Sequence, residues 1–289
     1  MHGLGRASAA ITIVNALPSG IGCAIGIDLE AVAEATILPT FGEPGTPTVA
    51  PADGSSPLVA EAVREALRQF TKDGSSSCEV AVRSAIPVAR GLKSSSAVAS
   101  AVVLAVAQAA GSAPAARQVA RLSAEVSRRS GVSATGAYDD ALAGLSTGFV
   151  VTDNGRDALV RHRPADPRWE VALLVPPGTH PASPGLKDAF RAYAKESRRA
   201  LDAALADRWW DAMLRNSEIV ERVMGYSYAP LRTRLAAAGA VGSGVSGLGP
   251  AYAAVAPSER IPRILEVLSK EEGTVLRVGL RRARTGGVA

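Results

Sequence analysis

Residues 91–96 read Gly91-Leu92-Lys93-Ser94-Ser95-Ser96. The run lies between a short β-like stretch, 79–83, and an apolar, alanine-rich stretch, 98–110, that reads as a buried helix. Glycine lets the backbone take φ > 0 or come close to a ligand. Hydroxyls in the first turn of a helix lie where backbone N–H groups are unpaired and the dipole end is positive. Strand, glycine turn and hydroxyl-rich helix start together suit an anion such as phosphate. The same serines also suit an ordinary N-cap. The Walker spacing G-x-x-x-x-G-K-[ST] is missing.

Two further clusters could do chemistry. Asp139-Asp140 follows Thr135-Gly136-Ala137 in a stretch otherwise poor in charge. Adjacent carboxylates fit proton transfer, and they also fit a plain helix N-terminus. Residues 239–250 form a glycine-rich run with a formal G-x-G-x-x-G at Gly242, Gly244 and Gly247. A helix-like segment precedes it and a strand-like one, 251–256, follows, the reverse of the dinucleotide-binding order.

The elements that position these clusters are legible by periodicity. Strands are predicted at 8–14, 23–29 and 31–38, the second broken by Gly26, with Asn15 and the Pro18-Ser19-Gly20 turn after the first. Residues 40–55 read as a surface loop. Ser56-Pro57 opens a helix over 57–70, and a helix over 115–130 ends at Gly131. A strand at 149–152 meets the turn Asp153-Asn154-Gly155, where the domain division is placed: 1–155 and 156–289. Then come a strand at 170–175 and helices at 186–205, 208–224 and 230–238. The closing order of strand, helix 261–272 and strand 274–280 suggests a split βαβ unit.

Of 289 residues, 47 % are hydrophobic and 20 % charged, as in a globular protein with a large core. The net charge of +5 fits nucleic acid or small anionic substrates. Scattered arginines without interleaved aromatics argue against nucleic acid. Cys23 and Cys78 are far apart without metal spacing, so a reducing, cytoplasmic setting is expected and a disulfide is not. The longest apolar run, 97–110, is too short to span a bilayer, and no membrane partner is expected.

The serine loop resembles the phosphate-binding motif of the GHMP kinases, P-x-x-x-G-L-G-S-S-A. Pro87, Gly91, Leu92, Ser94 and Ser95 match in order, with Lys93 in place of the third-position glycine. Residues 7–28 and 242–252 resemble the first and third motifs. In detail the chain is most similar to the archaeal-type shikimate kinases, through Val14-Asn15-Ala16-Leu17-Pro18, Gly91 to Ala97 and Thr135 to Ala141. The resemblance implies an α+β, two-domain GHMP kinase fold. Its N-domain would be like the second domain of ribosomal protein S5 and its C-domain ferredoxin-like, with the active site between them.

It further implies a kinase using ATP and Mg²⁺ that phosphorylates the 3-hydroxyl of shikimate. Homoserine kinase activity is the alternative on the same scaffold, and a nucleic-acid-binding protein a distant one. Pro87, Val88, Ala89, Arg90, Gly91, Leu92, Lys93, Ser94, Ser95, Ser96 and Ala97 would wrap the nucleotide, and Ser95 and Glu125 would hold Mg²⁺. Asp139 would take or orient the hydroxyl proton, with Asp140 in support. Asn15, Asp139, Gly244, Ser246 and Gly247 would meet the substrate. One departure stands out: a lysine of the first motif in several relatives is here Ala9.

Overall fold

The computed structural model describes residues 1–38, 49–51, 56–71, 77–133, 135–179 and 185–282. Most of the surface loop expected at 40–55 lies outside them.

The first half pairs β1 (His2–Val14) antiparallel with β2 (Ile21–Leu38). It continues through β3 (Val49–Pro51), α1 (Pro57–Phe70), β4 (Ser77–Ser84), α2 (Ser94–Ala109), α3 (Ala116–Arg129) and α4 (Tyr138–Leu145). It ends with β5 (Phe149–Asp153) and β6 (Ala158–Arg163). Its sheet runs β3-β4-β2-β5-β6, with β1 also on β2. The two strands expected at 23–29 and 31–38 are one. Gly26 does not break the strand but lets neighbours in: a Cβ there would lie 2.4 Å from the Ala143 carbonyl oxygen. β6 was not foreseen, because its half-exposed, arginine-bearing sequence lacks an apolar alternation.

Helix α2 is apolar on nearly every side because it is packed on nearly every side, by β1, β2, α1, α3 and α4. The approach to β1 is backbone on backbone. A Cβ at Gly3 or Gly5 would stand 2.2 Å or 1.9 Å from the carbonyl oxygens of Ala105 and Ala101. Glycine on the strand and alanine on the helix permit this spacing.

The second half comprises β7 (Trp169–Val175), α5 (Leu186–Arg191), α6 (Ala194–Leu205), α7 (Trp209–Met224), α8 (Ala229–Ala238), β8 (Gly242–Val245), β9 (Tyr252–Pro257), α9 (Ile261–Leu268) and β10 (Thr274–Gly279). Its antiparallel sheet has the order β10-β7-β9-β8. β9 and β10 flank β7 and are joined through α9, which is the split βαβ arrangement. The helix expected over 186–205 is two, α5 and α6. The glycine-rich run 239–250 holds β8 and its connection to β9 in a hairpin rather than an open loop. β6 pairs with β5 in the first sheet, so the sheets part between Arg163 and Trp169, later than the division drawn at 155.

One apolar core runs across both halves. At their seam Phe149 of β5 stacks on Trp209 of α7, with centroids 4.3 Å apart and planes at 6°. Trp210 meets Phe149 and Trp169 edge-on. The backbone also bridges the seam, as Arg281 N–H donates to Gly26 O at 2.9 Å.

Candidate active site

The three motifs, far apart in sequence, interlock. Ser246, fully buried after β8, donates its hydroxyl to Gly91 O at 2.8 Å and accepts from Thr12 N–H at 3.2 Å. Gly247 N–H donates to Thr12 Oγ1 at 2.9 Å, and Asn15 Nδ2 donates to Gly247 O at 3.4 Å. Ala251 N–H donates to Arg90 O at 3.1 Å. Gly91 cannot carry a side chain: a Cβ would lie 2.0 Å from Ser246 O, and its φ is +83°.

The serine loop takes left-handed backbone at every second residue, Ala89, Gly91 and Lys93. Alternation of this kind turns successive N–H groups into an anion-binding concavity. The loop runs straight into α2, whose first turn is Ser94-Ser95-Ser96. It borders a cavity of about 620 Å³, also lined by Asn15, Ser127, Val132, Asp140, Lys187, Gly247 and Leu248. Of the five non-glycine residues with positive φ among those described, Ala89, Lys93 and Ala137 line this cavity. Backbone strain gathers at functional sites. A second cavity of about 590 Å³ shares Leu17, Thr135 and Lys187 with the first and is lined further by Ser19, Arg128, Asn154 and Arg191.

The expected site residues divide accordingly. Pro87, Ala89, Gly91, Leu92, Lys93, Ser94, Ser95 and Ser96 line the loop cavity, as do Asn15 and Gly247. Val88 is exposed, Ala97 is buried within α2, and Arg90 turns away to donate to Pro176 O at 2.5 Å. Gly244 lies inside β8, where a Cβ would meet Ser217 Cβ at 2.9 Å, and Ser246 serves the interlock. Of the expected metal ligands, Ser95 lines the loop cavity, whereas Glu125 lines neither cavity and is ion-paired with Arg129 of its own helix. No group of three or more His, Cys, Asp or Glu that could hold a metal occurs among the described residues.

The paired aspartates face different ways. Asp139 is 4 % exposed, and its Oδ1 accepts from Asn154 Nδ2 at 2.7 Å. Its N–H donates to Asn154 Oδ1 at 3.1 Å, which also accepts from Thr152 Oγ1 at 2.7 Å. Asp139 Oδ2 fills the space Gly22 leaves, where a Cβ would stand 2.1 Å away. Asp139 lines neither cavity, whereas Asp140 lines the loop cavity, with Lys93 Nζ 3.1 Å from its Oδ1. Burial, and next the Asp139 charge, push the Asp140 carboxyl up to about 7, against the pull of the Lys93 ammonium. Sequence reasoning missed this pair, as well as Thr12, Asn154 and Lys187. Lys93 in place of the third-position glycine of the GHMP motif was the one visible signal.

The GHMP kinases N-terminal domain family matches residues 57–148. The shikimate kinase of Pyrococcus abyssi is 33 % identical over 97 % of this chain and 100 % of its own length. That of Pyrococcus furiosus is 34 % identical over 96 % and 98 %. Among solved structures, the Methanococcus jannaschii mevalonate kinase superposes with a TM-score of 0.73 at 14 % identity, covering 98 % of this chain and 99 % of that one. A phosphotransferase related to the CoA biosynthesis pathway does so at 0.74 and 19 %, covering 98 % and 97 %. The chain belongs to the GHMP kinases and, within them, to the family of the archaeal-type shikimate kinases.

Proposed function

We propose that the chain transfers the γ-phosphoryl group of ATP to the 3-hydroxyl of shikimate. The observation that carries this reading is the second cavity. Lys187, Arg191 and Arg128 stand on its wall, Arg128 already paired with Asp157, and no carboxylate among the described residues lines it. Shikimate brings a carboxylate and hydroxyls and no cation. Homoserine also brings an ammonium group, for which this wall has no acid. Lys187 makes no hydrogen bond or ion pair among the described residues, and Arg191 has only the exposed Asp188, at 3.1 Å. Both are available to an incoming carboxylate.

The loop cavity suits the triphosphate, through converging N–H groups and the start of α2. Mg²⁺ is usually held by the nucleotide phosphates and one or two protein oxygens. Ser95 fits that part, while Glu125 in its present pairing does not. When bound, the cation would neutralise phosphate charge. Of the two aspartates, Asp140 is the one lining the loop cavity, and we assign it the hydroxyl proton. Asp139 holds the start of α4 to Asn154. This reverses the roles expected from sequence. In the reaction the acceptor oxygen bonds to Pγ as the Pγ–O bond to ADP breaks. The electron pair leaves on ADP and the hydroxyl proton goes to Asp140. The buried thiols of Cys23 and Cys78, both free, are in keeping with a cytoplasmic enzyme.

The test is a coupled ADP-release assay with shikimate, homoserine and mevalonate side by side. Turnover is expected with shikimate. Faster turnover with homoserine would overturn the substrate assignment, and salt-sensitive RNA binding without any turnover would overturn the enzyme reading.

A further inference from the structure

Lys93 occupies a position that its own backbone disfavours. Its φ is +66°, in the left-handed region. A side chain is strained there and glycine is not. Strain of this kind persists only where the surroundings over-determine it. The lysine is also turned inward. Its side chain is 13 % exposed, and its partner Asp140 is 12 % exposed. The ammonium reaches the opposite wall of the cavity, since a Cβ on Gly247 would lie 3.0 Å from Nζ.

Stability does not account for the arrangement. Desolvating two charges costs about as much as their attraction returns. Glycine at position 93 with a neutral side chain at 140 would relieve the strain with no charge to bury. The backbone strain and the desolvation are explained together if the charge is needed where it stands, among the serine loop, the start of α4 and Gly247.

We propose that Lys93 is the cation that meets the γ-phosphoryl group during transfer, supplied from the serine loop itself, with Asp140 positioning it. The proposal rests on the phosphoryl-transfer reading above. Negative charge spreads over the equatorial oxygens of the phosphoryl group in flight. A preorganised cation beside it needs no reorganisation at that moment. The two residues reinforce each other. A proton arriving on Asp140 cancels the charge that holds the ammonium, so its full field then falls on the phosphoryl group.

The test uses Lys93→Met and Lys93→Gly. In both, kcat with shikimate should fall about 10²-fold or more, the size seen when one preorganised electrostatic partner is removed. By calorimetry without acceptor, ATP affinity should fall roughly tenfold while ADP affinity stays within about twofold, because the contact is to the γ-phosphate. Either change leaves the buried Asp140 without its ion partner, so both variants should melt lower than wild type. The ATP-to-ADP affinity ratio separates lost charge from lost folding, because a folding defect weakens both nucleotides alike. A kcat within about threefold of wild type, or an unchanged ratio of ATP to ADP affinity, would overturn the proposal. If wild type releases no ADP with shikimate, the substrate reading fails by itself, and the ATP-to-ADP ratio still decides the role of Lys93.

Discussion

Ser246→Ala tests whether the three motifs are held together as described. The hydroxyl bridges Gly91 O and Thr12 N–H, and alanine leaves both without that partner. Thr12 is 1 % exposed, so its orphaned N–H falls mid-range for an unsatisfied buried group, about 2 kcal/mol. Gly91 borders the cavity and its carbonyl can regain water, so about 1 kcal/mol is reasonable there. The sum is about 3 kcal/mol. Unfolding entropy near 2.1 cal/mol/K per residue gives about 0.6 kcal/mol/K for a chain of 289 residues. Tm should therefore fall by about 5 °C. The catalytic effect should be larger than the stability effect suggests, because a serine loop displaced by an ångström can lose about 10²-fold in rate. The assay pairs a thermal melt with kcat/KM for ATP. Ser243→Ala is the control, since that buried hydroxyl meets only Tyr252 OH, at 3.2 Å, and touches neither of the other motifs. It should lower Tm modestly and leave kcat/KM for ATP alone. If Ser246→Ala melts early but keeps wild-type kcat/KM, the interlock stabilises the fold without positioning the loop, and the reasoning fails.

Three further outcomes follow from the geometry. Because the folded Asp140 carboxyl titrates near 7 rather than at its ordinary 3.8, the native state holds a proton that the unfolded chain has lost, and stability falls as pH rises from about 4 to about 7. Asp140→Asn should flatten that fall, seen as a smaller difference in urea midpoint between pH 5 and pH 8; parallel curves for variant and wild type would refute it. Lys187→Met should raise KM for shikimate by about 10-fold, the loss of one charge-assisted contact, and leave KM for ATP unchanged; a shift in the ATP value alone would move Lys187 to the nucleotide. Ser95→Ala should raise the Mg²⁺ concentration for half-maximal activity and Glu125→Gln should not, since Glu125 makes an exposed pair with Arg129 worth at most about 1 kcal/mol. A Mg²⁺ titration of both variants decides between them.

The serine loop was readable because its signals are local: a glycine, three hydroxyls and the apolar run behind them. The same locality fixed α1, α3 and the closing strand, helix and strand. What escaped depends on contacts across the fold. Gly26 reads as a break within a strand, yet it admits Ala143 O and lets β2 continue. Gly242 to Val245 reads as loop because glycine is poor in strands, but Ser217 and Met213 press close on Gly244 and only a bare backbone fits there. Asp139 and Asp140 are neighbours of the same type, and nothing in one sequence says which faces the cavity. That choice is made by Asn154 on one side and Lys93 on the other, neither of them adjacent in the chain.

All three tryptophans, 169, 209 and 210, stand at the seam between the two sheets, and none lines either cavity. They fasten the halves through a shared interior, so swinging one half against the other means tearing stacked rings apart. The seam thus serves as a common frame for both halves. It also makes the native tryptophan emission a gauge of that frame. It should stay steady while nucleotide comes and goes, and change when the seam opens on unfolding.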